Sequence, residues 1–587
     1  MTLVELNELY QSRILTYENQ RNRLIQQKRS IGWLRLMTFL TIPLSMYLLH
    51  PNWQIAVLIA LPAFAGFLYL VSLFTDLKQR LKFVEKMIQL NKSEIKSLNK
   101  DYSDFECGSE FADTSHPYAI DMDLFHPNGL FAFLNRTATQ NGKKMLSTYL
   151  LHGKKQQTPI QDITEELKEK LDWRQQYLAG ATIENNNVEE DAKRWINLTE
   201  KSNKSLLILR WILPTIALSA LTCWLLNQIS DFQFILLILI PLTVVGFYFK
   251  RTNYILITAS KANEKWHSMR NRLDAIQSAN FTSPGLIQLK EKLTGGNSTS
   301  VALKQLIKLN NLSDYRLNML MGIVLNMFFA WDIWMRTLLV QWLEEYASKF
   351  EQWEDDLAEL EVWICAGNYA FNRNDLVYAE LGSDEIVIEQ LGHPLLSEDE
   401  GVKNNFVVRK ECAFSIITGP NMAGKSTFLR SVGVNLILAH CGFPVVASVF
   451  KMPDLKLYSS MRTSDDLASS SSYFFAELSR LRFIVDAIER GEKVFIILDE
   501  ILKGTNSIDK EKGSAAFLMK LQQLNAKGII ATHDLSLCQL AENSDVFQNL
   551  YFDSIIDNNN LSFDYQIRDG VCQNMNASFL LQKMGLT

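Results

Sequence analysis

Residues 413–430 read AFSIITGPNMAGKSTFLR, an apolar run that enters a glycine-rich turn and leaves it on a helix start. Gly419, Gly424, Lys425 and Ser426 hold the spacing of a phosphate-binding loop. Glycines let the backbone curl so that its N–H groups face the phosphates, and the following helix adds its positive N-terminal end. In such a loop Lys425 neutralises phosphate charge and Ser426 holds Mg²⁺ through its hydroxyl. The expected cradle for a nucleoside triphosphate is Gly419, Pro420, Asn421, Met422, Ala423, Gly424, Lys425, Ser426 and Thr427. Within it, Asn421 can donate to phosphate or to metal-bound water.

Two further motifs follow in order. KVFIILDE (493–500) is an apolar strand ending in two acids. Asp499 suits a Mg²⁺ ligand at a strand end, and Glu500 is placed to orient or deprotonate an attacking water. His533, in IIATHDL (529–535), follows another strand and is a candidate sensor of the γ-phosphate. Between these motifs, SMRTSDDLASSSSYFFAEL (460–478) runs four serines into an amphipathic helix, a good anion site. From about residue 375 strands alternate with helices, which predicts a mainly parallel sheet covered on both faces.

Upstream the pattern is helical, and 587 residues allow three or four domains. A net charge of −5 does not advertise nucleic-acid binding, so any such contact must come from local patches. The seven cysteines form no CxxC pair and the eight histidines no metal-ligand spacing, which argues against a zinc site or a disulfide framework.

Four apolar runs come in two pairs: WLRLMTFLTIPLSMYLL (33–49) with QIAVLIALPAFAGFLYLVSLF (54–74), and WILPTIALSALTCWLL (211–226) with FQFILLILIPLTVVGFYF (232–249). Each is about the length that spans a hydrocarbon core. Arg21, Arg23, Lys28 and Arg29 precede the first pair, and Lys78, Arg80 and Lys82 follow it. Lys204 and Arg210 precede the second pair, and Lys250 and Arg251 follow it. The positive-inside bias predicts a multi-pass protein of the cell (inner) membrane, with both termini and the nucleotide domain cytoplasmic. No small-residue cleavage site follows the first run, so it does not read as a signal peptide. A third apolar stretch, 317–343, carries Asp332 and Arg336 four residues apart and runs into acidic residues. It reads as one long buried helix in which those two side chains pair.

Taken in order, ITGPNMAGKST, SDDLASSSSYFFAEL, LDEILKGTNSID and ATHDL resemble the ATPase domain of the MutS mismatch-repair family. GHPLL (392–396) and GFPVVAS (442–448) resemble further stretches of that domain. DMDLFHPNGLFAFLNRTATQNGKKMLSTYLL (121–151) resembles the start of the family's core domain. The resemblance covers roughly 115–205 and 300–587. It implies ATP with Mg²⁺, a homodimer formed through the ATPase domains, and double-stranded DNA as a partner. Ser472 matches the serine that reaches the partner's γ-phosphate, and Thr505 and Asn506 fall in a loop near the dimer interface. Lys425, Ser472, Glu500 and His533 are thus the expected catalytic set, with Ser426 and Asp499 as metal ligands.

The chain departs from the family pattern at Ser470-Ser471, where a Gly-Arg is usual, and at Leu502, where a small residue is usual. No amino-terminal mismatch-reading or connector domain resembles those of the family, and no further helical module follows NASFLLQKMGLT. The expected fold class is multidomain: an α-helical body of the MutS core type with membrane hairpins, and a carboxy-terminal α/β phosphate-loop ATPase domain. The expected boundaries are a cytoplasmic amphipathic helix (1–32), a transmembrane hairpin (33–75) and a basic helical linker (76–114). A helical core and lever-like domain (115–372) follows, interrupted by a second hairpin (211–249), and then the ATPase domain (373–587). The expected function is ATP hydrolysis by a membrane-tethered protein, with DNA binding and mismatch repair implied by the resemblance. The alternative is a membrane ATPase of the transport or scaffold kind that does not act on mismatched DNA, but 460–478 lacks the LSGGQ-like signature of a transporter.

Overall fold

The computed structural model describes residues 1–49, 53–154, 159–181, 187–295, 299–398, 400–409, 411–462, 473–503, 506–557 and 560–573. The chain opens on two helices of 46 residues each, α1 (Leu3–Leu48) and α2 (Trp53–Leu98), about 69 Å long at 1.5 Å per residue. Thr2 and Glu5 form a capping box that starts α1. The two helices run antiparallel, with Arg13 on Asn91, Lys92 on Glu18 and Phe39 on Phe67. The charged stretches expected on either side of the first apolar pair are therefore continuous with it, and Pro43 and Pro62 sit inside unbroken helices.

The second apolar pair forms α3 (Lys204–Leu225) and α4 (Asp231–Lys261). Ser230 and Gln233 cap α4, and Trp224 closes the tip by donating to Asp231 at 2.8 Å and stacking on Phe234. By length and composition α1, α3 and α4 are each able to cross a membrane. Their apolar side chains point outward, with Tyr47 81% and Phe247 83% exposed.

The stretch 317–343 differs from its expected form. It is not one helix: α5 (Met319–Phe329) ends at Ala330, whose φ of 45° is left-handed, and α6 (Trp331–Phe371) departs at 79°. It is not wholly buried either, since Met319 is 78% exposed. Asp332 and Arg336 do not pair. Asp332 meets Arg316 at 2.7 Å, and Arg336 meets Glu200 at 3.3 Å. The break turns the first helical turn of α6 toward partners distant in sequence. A short helix runs from Val188 to Ile196.

The carboxy-terminal region is built on a six-stranded sheet. Its strands are β1 (Phe414–Thr418), β2 (Lys456–Ser460), β3 (Val494–Asp499), β4 (Lys527–Ala531), β5 (Phe547–Phe552) and β6 (Ile567–Asp569). The order is β6-β5-β1-β4-β3-β2, all parallel except β6 at one edge. β1 is buried along its whole length, as a central parallel strand must be. Helices α7 (Lys425–Cys441), α8 (Tyr473–Glu489) and α9 (Ser507–Gln523) connect the strands. A second sheet joins 380–381, 449–452, 386–391 and 404–408, and the short strands 445–446 and 449–452 were not anticipated.

A buried polar cluster fastens the α1–α2 stalk to the body. Arg136 donates to both oxygens of Glu94, at 2.6 and 3.2 Å, and to Ser97. Asn368 and Asn372, at the end of α6, also donate to Glu94, and Tyr10 of α1 donates to Asn372 at 2.8 Å. Both members of the ion pair are almost fully buried. Removing one side of such a pair strands the other charge, so Glu94→Ala is expected to lower the unfolding free energy by about 3–5 kcal/mol. Glu94→Gln, which keeps the shape and one acceptor oxygen, is expected to cost less; denaturant midpoints of the purified protein check both.

Candidate functional site

The turn after β1 leaves the sheet between its two parallel neighbours, β4 and β5, where a crevice opens at the carboxyl ends of the strands. Gly419 takes a φ of 145°, and a Cβ there would lie 2.6 Å from the Phe552 carbonyl oxygen, so only glycine fits. The turn ends at Gly424 and α7 begins at Lys425. The orphan N–H groups of that helix start therefore point into the crevice.

The motifs that are far apart in sequence meet here. Ser426 Oγ donates to Asp499 Oδ2 at 2.7 Å. Lys425 Nζ donates to the carbonyls of Gly419 (2.7 Å) and Pro420 (2.9 Å) and lies 3.5 Å from His533 Nε2. Burial lowers the lysine's pKa, and the charges of Glu500 and Asp499 oppose that. His533 Nε2 is 2.8 Å from Glu500 Oε1 and 2.6 Å from Asn421 Oδ1. The hydrogen bond from His533 holds the Glu500 carboxyl down at about 2, against a smaller opposing push from burial. Glu500 itself has a φ of 50°, a strained conformation for a side-chain-bearing residue at a site of this kind.

A cavity of about 780 Å³ gathers Asn421, Met422, Gly424, Lys425, Ser426, Thr427, Asp499, Glu500 and His533. Gly419, Pro420 and Ala423 complete the same turn, with Ala423 buried beneath it. Ser472 and Thr505 lie outside the described residues. Asn506 is not in the cavity wall; it caps α9 by accepting from the Asp509 amide. Sequence reasoning missed the opposite wall, which comprises His393, Leu396, Phe552 and Tyr565. GHPLL was the signal for His393 and Leu396, whereas nothing in the sequence marked Tyr565. Burial, followed by the nearby Arg430 and Arg373, pushes His393 down to about 4, so it is neutral near pH 7.

The serine-rich run is held on both flanks. On one side Asp121 accepts from Ser459 Oγ (2.6 Å) and from the amides of Met461 and Arg462, while Arg462 pairs with Asp123. On the other, Glu477 of α8 accepts from the amides of Leu502 and Lys503, just beyond Glu500. The unusual Leu502, with a φ of 60°, is thus held in place by a buried carboxylate. Among the described residues no cluster of three or more His, Cys, Asp or Glu side chains is suited to hold a metal.

Comparison with known proteins adds a likeness for one region of the chain. Residues 415–582 match the model of MutS domain V. DNA mismatch repair protein MutS of Persephonella marina is 33% identical over 190 residues, which is 32% of this chain and 22% of the relative. MutS protein homolog 4 of Homo sapiens is 32% identical over 190 residues, 32% of this chain and 20% of the relative. DNA mismatch repair protein spellchecker 1 of Drosophila melanogaster is 31% identical over 212 residues, 35% of this chain and 22% of the relative. The matched region thus spans about a fifth of the length of these relatives. Through residues 415–582 the chain is similar to MutS domain V.

Truncating Glu477 to alanine leaves two backbone amides without their acceptor, at about 1–3 kcal/mol for each buried group. The thermal midpoint of Glu477→Ala is expected to fall accordingly, and Glu477→Gln to recover part of the loss.

Proposed function

We propose that this chain is a membrane-tethered ATPase of the MutS kind that works as a homodimer. The observation that carries this reading is the 2.7 Å hydrogen bond from Ser426 to Asp499 within a cavity shared by Lys425, Glu500 and His533. A hydroxyl and a carboxylate oxygen this close form the hard donor set that Mg²⁺ prefers. Ser426 and Asp499 would hold the ion, which when bound neutralises charge on the β- and γ-phosphates of ATP.

The remaining residues take roles that their contacts support. Lys425 now rests on two carbonyls of its own loop, and phosphate oxygens are stronger acceptors for the same ammonium. Glu500, kept ionised by His533, is the base that orients or deprotonates the attacking water. His533 bridges Glu500 and Asn421 beside Lys425, so it senses occupancy next to the loop. Ser472, matched to the family's serine, would reach the partner subunit's γ-phosphate, with Thr505 and Asn506 near that interface.

The same reading assigns residues 33–75 and 211–249 to membrane hairpins, and 1–32 and 76–114 to the cytoplasmic stalk of the first hairpin. Residues 115–372 are then the helical core and lever-like part, and 373–587 the ATPase domain. The lipid bilayer is the tethering partner, and both termini face the cytoplasm of a cell (inner) membrane. Outward-facing apolar side chains on helices of sufficient length support the tether. Double-stranded DNA and a mismatch-repair role follow from the family and from the names of the relatives.

Glu500→Gln is expected to lower ATP turnover about 10²–10⁴-fold with ATP binding retained; unchanged turnover would remove Glu500 from the chemistry. For the DNA role, a gel-shift comparison with the detergent-purified protein should show tighter binding to mismatched than to matched duplex. Equal, weak and strongly salt-sensitive binding to both would leave only phosphate contacts and overturn mismatch recognition.

A further inference from the structure

We infer that residues 317–331, centred on α5, dip into the cytoplasmic leaflet beside the α3–α4 hairpin and return without crossing, covered by lipid acyl chains. This inference rests on the proposed membrane tether and adds to it a third membrane element that the hydropathy pattern had assigned to a soluble core. Between Arg316 and Asp332 there is no charged residue, and the only amide side chains are those of Asn318 and Asn326. α5 has 11 residues, about 16 Å, too short for a hydrocarbon core of about 30 Å. Its exposed side chains are large and apolar, including Met319, Met321, Ile323 and Val324. In water they would form a contiguous patch that a lone soluble domain rarely carries.

The segment is closed at its base. Arg316 and Asp332 pair at 2.7 Å across its two ends, and Arg316 also reaches Asn253 of α4. Asn326 accepts from the Asp332 amide at 2.9 Å. A Cβ on Gly322 would lie 2.6 Å from the Arg316 carbonyl oxygen, so the loop folds back tightly on its own start. The charges at its mouth are therefore matched, as they must be at the edge of a bilayer.

Its depth follows from the neighbouring hairpin. Asp231 to Arg251 on α4 is 20 residues, about 30 Å, the thickness of one hydrocarbon core. Ala330, at the end of α5, packs with Leu206, Leu213 and Val245. Val245 lies six residues, about 9 Å, inside Arg251, within the depth of about 5–10 Å at which interfacial helices rest. At the same level Arg210 lies over the rings of Trp211 and Trp334, which meet edge to face at 4.6 Å. Tryptophan is enriched at the headgroup layer of membrane proteins.

The test places a fluorescent non-natural side chain singly at Val324, Leu239 or Lys512 in the full-length protein. Each form is reconstituted in phosphatidylcholine–phosphatidylglycerol vesicles. Val324 should lose emission to lipids brominated near the headgroup, Leu239 to lipids brominated deep in the chain, and Lys512 only to aqueous iodide. If Leu239 is quenched by lipid but Val324 by iodide, α5 lies in water and the inference fails while the tether stands. A Val324 probe shielded from both quenchers means that protein, such as a second copy, covers α5, and this also overturns it. Quenching of Val324 by the deepest bromines alone would overturn the shallow placement. If Leu239 itself is quenched by iodide, the tether fails first.

Discussion

Glu94 is a carboxylate withdrawn from water where the stalk meets the helical body. A buried charge is tolerated only while its partners stay in place. Here they are a bidentate arginine from the start of the body and two asparagines from the last turns of α6. α1 joins through Tyr10 on Asn372. These elements therefore move together or not at all. One residue further on, Arg373 donates to the carbonyls of Pro394 and Leu396 at 2.7 and 2.8 Å. His393 and Leu396 line the wall of the cavity facing the glycine-rich turn. The stalk is thus linked, through short polar contacts, to the geometry of the site.

α6 carries the connection in the other direction. Its 41 residues, about 61 Å, run from the apolar cluster at Ala330 to the root of the stalk. Ion pairs brace it along the way: Lys265 with Glu354 and Arg272 with Glu361 at 3.1 Å are buried, and the half-exposed Lys292 meets Asp356 at 2.7 Å. Glu361 is also held by the amides of Ala138 and Thr139, which lock the start of the body onto the same helix. A helix fastened this often transmits displacement as a rod, because each contact would have to break for it to bend.

What could be read from the sequence was chemistry with obligatory spacing. The turn from Gly419 to Thr427 and the acids at 499 and 500 were legible because glycine sterics, phosphate geometry and buried parallel strands leave few alternatives. Their meeting with His533 follows from strand order. The far wall of the cavity was not legible: Tyr565 arrives from a strand-edge loop, and a lone aromatic carries no spacing rule. The break at Ala330 was hidden for a related reason. Neither glycine nor proline marks it, and hydropathy does not distinguish a buried helix from one facing lipid. Asp332 and Arg336 had the right local spacing to pair, but Arg316 and Glu200 offered partners that sequence separation conceals.

The lengths of the two rigid arms bear on how one bilayer can take both hairpins. From Tyr10, at the root of the stalk, α1 runs about 35 Å before Trp33 opens the first apolar run. From the same root, α6 runs about 61 Å to Ala330. The two spans differ by about 26 Å, so both hairpins meet one plane only if α6 is inclined to the membrane normal more steeply than α1. A charged stalk some thirty residues long is otherwise an expensive way to join an apolar hairpin to a domain. Its length is accounted for if the nucleotide domain stands off the membrane and the first hairpin must reach back to the plane that the second occupies.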